Sequence, residues 1–167
     1  WLRFDEGYGD TAYDATGNSN DGTITSATWT ESGKFGKALS FDGADDVVAV
    51  GDTNQNIKTV SIWVRPNSIT STTEYPLDLN GAAYVKIANG VVTGEGFTSP
   101  TVYVNGISGG TAEALKWNHI EITTDTGIDA SNVDVGEYDS TFFEGVIDEV
   151  KLYPYARSAA QVKKDYN

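Results

Sequence analysis

At 167 residues, with a formal charge of −13 and a pI near 4.2, the chain has the size of one ordinary domain with room for a hydrophobic core. Its charge excludes nucleic acid and anionic membrane surfaces as partners, because both would repel it. With no Cys and no Met, it forms no disulfide, thiolate metal site or cysteine nucleophile, and no apolar run reaches the length of a membrane span.

Short apolar runs rich in Val, Ile, Thr and Tyr recur between Gly, Asn, Asp and Ser clusters, which predicts an all-β domain. "WLRF" at the start reads as a strand, so the chain opens inside an element and reads as a piece of a longer product. "DEGYGDTAYDATGNSNDGTI" follows, and its glycines and asparagines predict turns. "GKALSFDGADDVVAV" reads as two strands hinged at Asp42-Gly43. The cleanest alternation spans Thr59 to Arg65: Val60, Ile62 and Val64 face one way, Ser61, Trp63 and Arg65 the other, and Pro66 ends the ladder.

Further strands are expected at Ala83 to Ala88, Val91 to Gly94, Thr101 to Val104, Trp117 to Thr124 and Val133 to Gly136. Asn80-Gly81, Asn89-Gly90 and Asn105-Gly106 are tight-turn pairs. The last strand is "FEGVIDEVKLY", where strict alternation puts Val146, Asp148, Val150 and Leu152 on one face. Beyond Pro154, Ser158 and Gln161 form a capping box that opens one short terminal helix. An antiparallel sandwich of two sheets closed by that helix accommodates all of these elements.

Five stretches together carry a resemblance: "WLRFDEGYGDTAYDATGNSNDGTI", "GKFGKALSFDGADDVVAV", "VSIWVRP", "WNHIEIT" and "FEGVIDEVKLYPYARSAAQVKKDYN". In this order, over nearly the whole chain, they resemble the laminin G-like, concanavalin A-like lectin/glucanase family of bacterial and archaeal surface proteins. The resemblance implies a jelly-roll β-sandwich in which the N-terminal strand lies close to "IDEV". One motif is out of order, since "TVYVNG" here precedes "WNHI" where the family has it afterwards. In relatives a "YARS…DYN" ending is often followed by a new domain opening like "WLRFDEG", which implies tandem domains or filament subunits of a surface protein.

The resemblance also implies a structural calcium, held in glucanases of this fold by an aspartate of the final strand with carbonyls near the N-terminus and at the turn matching Gly43. Here Asp148 would be the chief ligand, helped by Gly43 and by an oxygen of Asp5 or Asp42; calcium takes six to eight oxygens. The other reading of Asp148 is a carboxylate neutralised by backbone N–H donors, with no metal. "DATGNSNDG" misses the EF-hand spacing and reads as turn chemistry, with a weak calcium held by its side-chain and carbonyl oxygens as the alternative.

Glucanases of this fold carry a Glu, Asp, Glu set alternating along one strand. Glu137 and Asp139 have the i, i+2 spacing, but Glu144 lies five residues on, so "EYDSTFFE" reads as a turn bounded by solvated carboxylates. His119 is the single histidine, and no nucleophile turn accompanies it. No phosphate loop is present.

Glycan recognition uses exposed aromatic rings beside Asp or Asn. Tyr75 with Asp78 and Asn80, Tyr84, and Tyr103 with Asn105 stand at strand or hairpin ends where such a site could form, whereas Trp63 and Trp117 read as sheet residues. The expectation is a non-catalytic module outside the cell or on its surface, binding carbohydrate or a cell-surface protein. A structural or assembly domain is the alternative, and a glycoside hydrolase a third.

Overall fold

A computed structural model describes residues 1–70 and 73–167. In chain order the strands are β1 (Thr11–Ala12), β2 (Gly22–Thr25), β3 (Thr28–Thr30), β4 (Ala38–Asp42), β5 (Val47–Gly51), β6 (Asn56–Pro66), β7 (Thr73–Asp78) and β8 (Tyr84–Ala88). They continue with β9 (Val91–Glu95), β10 (Thr101–Val104), β11 (Ile107–Ser108), β12 (Asn118–Asp129), β13 (Val133–Val135), β14 (Glu137–Tyr138), β15 (Thr141–Phe142) and β16 (Glu144–Tyr153). One helix, α1 (Ala159–Tyr166), follows.

The strands build two seven-stranded antiparallel sheets. The first runs β1-β2-β5-β13-β7-β8-β9 and the second β11-β10-β12-β6-β16-β4-β3, while β14 and β15 form a separate hairpin. The expected all-β sandwich with a short C-terminal helix is thus the fold. Alternation turns Val48, Leu77, Val85, Ile87 and Val135 of the first sheet and Leu39, Phe41, Val60, Ile62, Ile120, Ile122 and Ile147 of the second into one buried core. Each such side chain contributes about 1.5–3 kcal/mol on leaving water.

Two expectations need correction. "WLRF" makes no regular strand: Leu2 forms isolated bridges to Val150 and Asp14, and short β1 and β2 lie inside the stretch read as turns. In β16 the register against β6 shifts between Asp148 and Lys151, at a bulge where Glu149 takes φ 54°. Val146 and Asp148 pair with Arg65 and Trp63, and beyond the bulge Lys151 and Tyr153 pair with Ser61 and Thr59. Asp148 therefore lies on the outer face beside Trp63, and Leu152, opposite Val60, turns inward. The apolar row through Asp148 to Leu152 does not form.

That outer face is covered by α1. Ser158 caps the helix, accepting from the Gln161 N–H while the Gln161 side chain accepts from the Ser158 N–H, as the capping box predicts. Val162 is fully buried and the Tyr166 ring stacks on Trp63 with centroids 6.0 Å apart.

Gly136 directs the chain from β13 into the β14–β15 hairpin at φ 88°, its N–H donating to the Pro76 carbonyl. A Cβ there would lie 2.4 Å from the Phe41 ring, whereas one on Gly109, also at positive φ, would meet nothing. Both Gly→Ala changes cost about 1–2 kcal/mol for a left-handed backbone, and Gly136→Ala adds about 1–3 kcal/mol of overpacking. Denaturant unfolding should therefore show the Gly136 variant clearly less stable than Gly109→Ala; equal losses would mean that the hairpin yields freely.

Candidate functional site

Across the first sheet the register aligns Asp134 with Asp78, Asp78 with Tyr84, and Tyr84 with Glu95. The neighbouring row, Val135, Leu77 and Val85, points into the core, so the first row faces outward. Tyr75 precedes Pro76 where the β7–β8 register shifts between Glu74 and Leu77; the irregularity accommodates a proline that a regular central strand would not. The third ring arrives from the hairpin. Asp139 and Ser140 both take positive φ, giving a two-residue turn that suits a hairpin, and the Ser140 N–H donates to Glu137 Oε1. "EYDSTFFE" is thus a turn, as expected, and it lays Tyr138 over the first sheet.

Tyr84 and Tyr138 stack with centroids 3.8 Å apart at 30°, Tyr75 lies 5.1 Å from Tyr138, and Tyr75 meets Tyr84 edge-on at 5.7 Å. All three are half-buried. A hydrogen bond with the Tyr84 hydroxyl, more than burial, pushes the Tyr138 phenol up to about 12, so it stays protonated at neutral pH.

Carboxylates flank the rings. Asp78 is buried, and its oxygens accept from the N–H groups of Asn80 and Gly81 at 2.8–3.3 Å. Burial holds its carboxyl above the usual range although those N–H groups pull it down. Asp134, directly opposite, is half-buried and accepts from Asn132 Nδ2 at 3.0 Å. Burial raises its carboxyl too, reinforced by the charges of Glu137 and Asp78. On the far side, Lys86 Nζ donates to Glu95 Oε1 at 2.7 Å.

No protein-family model matches the sequence, and comparison with curated proteins finds no match. Solved structures do match. Domain 4 of AbnA, a GH43 extracellular arabinanase from Geobacillus stearothermophilus seen in complex with arabinotriose, superposes with a TM-score of 0.66 at 19% identity, covering 99% of this chain and 96% of that one. A sialidase from Trypanosoma rangeli, in complex with the inhibitor DANA, gives 0.69 at 14% identity over 99% of this chain. The likeness is one of fold. This chain spans only 32% of the sialidase.

Of the expected ligand residues, Tyr75, Asp78 and Tyr84 come together, with Asp78 serving mainly the turn. Asn80 belongs to that turn, its Oδ1 accepting from the N–H groups of Ala82 and Ala83. Tyr103 and Asn105 are on the other sheet: Tyr103 pairs with Glu121, and Asn105, at φ 52°, accepts from the His119 N–H. Tyr138, Asp134 and Glu137 were not singled out as ligand residues from the sequence; the alternation on either side of Asp139-Ser140 is the one local signal pointing to Tyr138.

The four residues expected around calcium divide. Asp42 pairs with Glu144, four residues before Asp148 on β16, a separation of about 13 Å at the usual strand rise. Asp42 and its neighbour Gly43 therefore cannot share an ion with Asp148. Asp42 instead groups with Asp45 and Asp46, and its N–H donates to Asp46. Asp148 and Asp5 do converge on one loop, Asp148 Oδ2 accepting from the Phe35 N–H at 2.9 Å and Asp5 Oδ1 from the Lys37 N–H at 3.1 Å. Asp148 is wholly buried, its Oδ1 has no partner, and burial pushes its carboxyl up to about 7 against the Phe35 hydrogen bond. A buried oxygen of this kind calls for a proton or a cation. Asp148 is the residue that would hold calcium here, whereas Asp5 is paired with Arg3 and bonded to the same loop; calcium would supply charge neutralisation between the last strand and the 33–37 loop. In "DATGNSNDG", burial works to raise Asp14, but hydrogen bonds from Thr16 outweigh it and hold the carboxyl down to about 2, so this loop uses its aspartate for turn bonding.

His119 lies with Ser61, Trp63 and Glu121 beneath α1. Ser61 Oγ is 2.9 Å and Glu121 Oε2 3.9 Å from the same nitrogen, Nε2, while Nδ1 has no partner. A serine relay runs through both ring nitrogens, a geometry absent from these three residues. Arg157 Nε approaches Glu121 Oε1 to 2.9 Å as an ion pair, and Arg157 also pairs with Asp165 of α1 at 2.6 Å.

Two predictions follow from these burials. Calcium at millimolar concentration should raise the thermal midpoint above that in EDTA for the wild type and not for Asp148→Asn, since a ligand of the native state stabilises by mass action; an unresponsive wild type leaves Asp148 as a protonated staple. Burial, against the pull of Asp165, pushes His119 down to about 4 from 6.5. Its neutral ring therefore costs stability as pH falls from 6.5 to 4, by at most about 1.4 kcal/mol per pH unit. The stability of the wild type relative to His119→Gln should decline over that window and be flat above pH 7, and a constant difference would contradict a neutral buried ring.

Proposed function

We propose that this chain is a glycan-recognition module working outside the cell or at its surface, and that it binds sugar on the tyrosine face of the first sheet without breaking a bond. The convergence of Tyr75, Tyr84 and Tyr138 into one half-exposed cluster carries this reading. The C–H groups on one face of a sugar ring pack against an aromatic face, while its hydroxyls hydrogen-bond with phenols and carboxylates at the rim. Tyr84 and Tyr138 each spend one face on the other, so ligand contacts fall on the faces turned away and on Tyr75. The rings are fixed by sheet register and a short hairpin, so little ordering cost attends binding.

Two further observations support the reading: the arabinanase domain of the same fold was solved with arabinotriose and belongs to an extracellular protein, and among the described residues no helix is long and apolar enough to cross a membrane. Calcium at Asp148 would stiffen the opposite sheet and touch no ligand. A cell-surface protein as partner would enter through its attached sugars.

Titration calorimetry against a panel of oligosaccharides that includes arabinotriose tests this. Tyr84→Ala and Tyr138→Ala should each weaken binding about tenfold, the worth of one good aromatic contact, with circular dichroism unchanged, while Tyr103→Ala on the other sheet leaves it intact. Binding untouched by both changes, or release of reducing ends from any panel member, overturns the proposal.

A further inference from the structure

The tyrosine cluster is surrounded by one sign of charge. Lys86 is the single Lys or Arg in the seven strands of the first sheet and in the β14–β15 hairpin, against Asp78, Glu95, Asp134, Glu137 and Asp139 of the same segments. Its charge is already taken, since Glu95 Oε1 accepts from Lys86 Nζ at 2.7 Å and from Thr93 Oγ1 at 3.0 Å. Among the described residues the rim therefore offers acceptors and no free cation.

The acceptors are placed at a cost to the fold. Asp134 and Asp78 are directly opposite on neighbouring strands, an arrangement of like charges that destabilises a sheet. Asp78 has a reason to be there, because its oxygens hold the Asn80-Gly81 turn. Asp134 has no comparable duty: among the described residues its carboxylate accepts one hydrogen bond, from Asn132, two residues away. Glu137 adds its charge to both carboxyls, and one of its oxygens serves the hairpin turn.

We infer that this face takes uncharged glycans and rejects acidic ones, with Asp134 accepting hydrogen bonds from sugar hydroxyls and, together with Glu137, repelling any uronate, sialic acid or sulfate. The inference rests on the tyrosine face being the glycan site. A hydroxyl donated to a carboxylate makes a charge-assisted hydrogen bond, stronger than a neutral one; an acidic sugar at the same place brings a second anion and no proton to share. The repulsion extends beyond contact, because the whole chain carries −13, and it is screened by salt over roughly 10 Å at 0.1 M.

The test is a glycan array of matched pairs, each neutral oligosaccharide beside its uronic-acid-substituted or sialylated form, followed by calorimetry on the best pair at 50 and 500 mM NaCl. Binding should fall on the neutral members, with the acidic form at least tenfold weaker at low salt. That gap should narrow at high salt, and it should narrow again in Asp134→Asn, which keeps the shape and removes the charge. Acidic members that bind as well as their neutral partners overturn the inference and leave the glycan reading standing. Binding to no member at either salt concentration overturns both.

Discussion

The arrangement depends on where the last strand goes. β16 enters the middle of the second sheet between β4 and β6, so until it arrives the two halves of that sheet have no common edge. Its inward residues, Ile147 before the bulge and Leu152 after it, meet the same core although two phases of alternation separate them. The bulge at Glu149 makes this possible. By absorbing an extra residue it lets Asp148 turn outward to the 33–37 loop while Val150 still bridges Leu2 near the chain's start. The first and last segments are thus joined by the Leu2–Val150 backbone bonds and by Trp1 Nε1 donating to Glu149 Oε2 at 2.9 Å, while Asp148 ties the last strand to the 33–37 loop.

The two outer faces have been put to different uses. On the second sheet, Trp63, His119 and Glu121 are polar or aromatic side chains that water would ordinarily reach, and α1 with Arg157 seals them. Glu121 is pushed up to about 7 by burial, against the pull of Arg157, which marks this cluster as costly to bury. On the first sheet nothing comparable among the described residues covers Tyr75, Tyr84 and Tyr138, which stay half-exposed. The hairpin that carries Tyr138 reaches only far enough to extend the aromatic cluster and leaves its rim open.

Much of this was legible in the sequence because period-two alternation and turn chemistry act locally. Val60, Ile62 and Val64 inward, Ser61 and Trp63 outward, and the Ser158–Gln161 cap all followed from neighbours a few residues apart. The strands that escaped detection are short, as with β1 to β3, or interrupted, as with β7 and its Pro76. The site was half legible. Tyr75, Asp78 and Tyr84 stand within ten residues of one another and are joined by the β7–β8 pair. Asp134 reaches them only because β13 inserts beside β7, and Tyr138 only because the next hairpin folds back. The Asp42-Gly43 misplacement has the same origin, for nothing local says how far along β16 a partner lies.

The late insertion of β16 also bears on how the chain folds. Strands that pair across a hundred residues make the loop-closure cost fall before the reward, and sheets of this kind fold slowly. Here β4 and β6 share no edge until β16 pairs with both, so the second sheet is finished only once residues 144–153 are in place. Only with β16 in place do the paired backbone bonds of Leu2 and Val150 tie the first segment to the last strand.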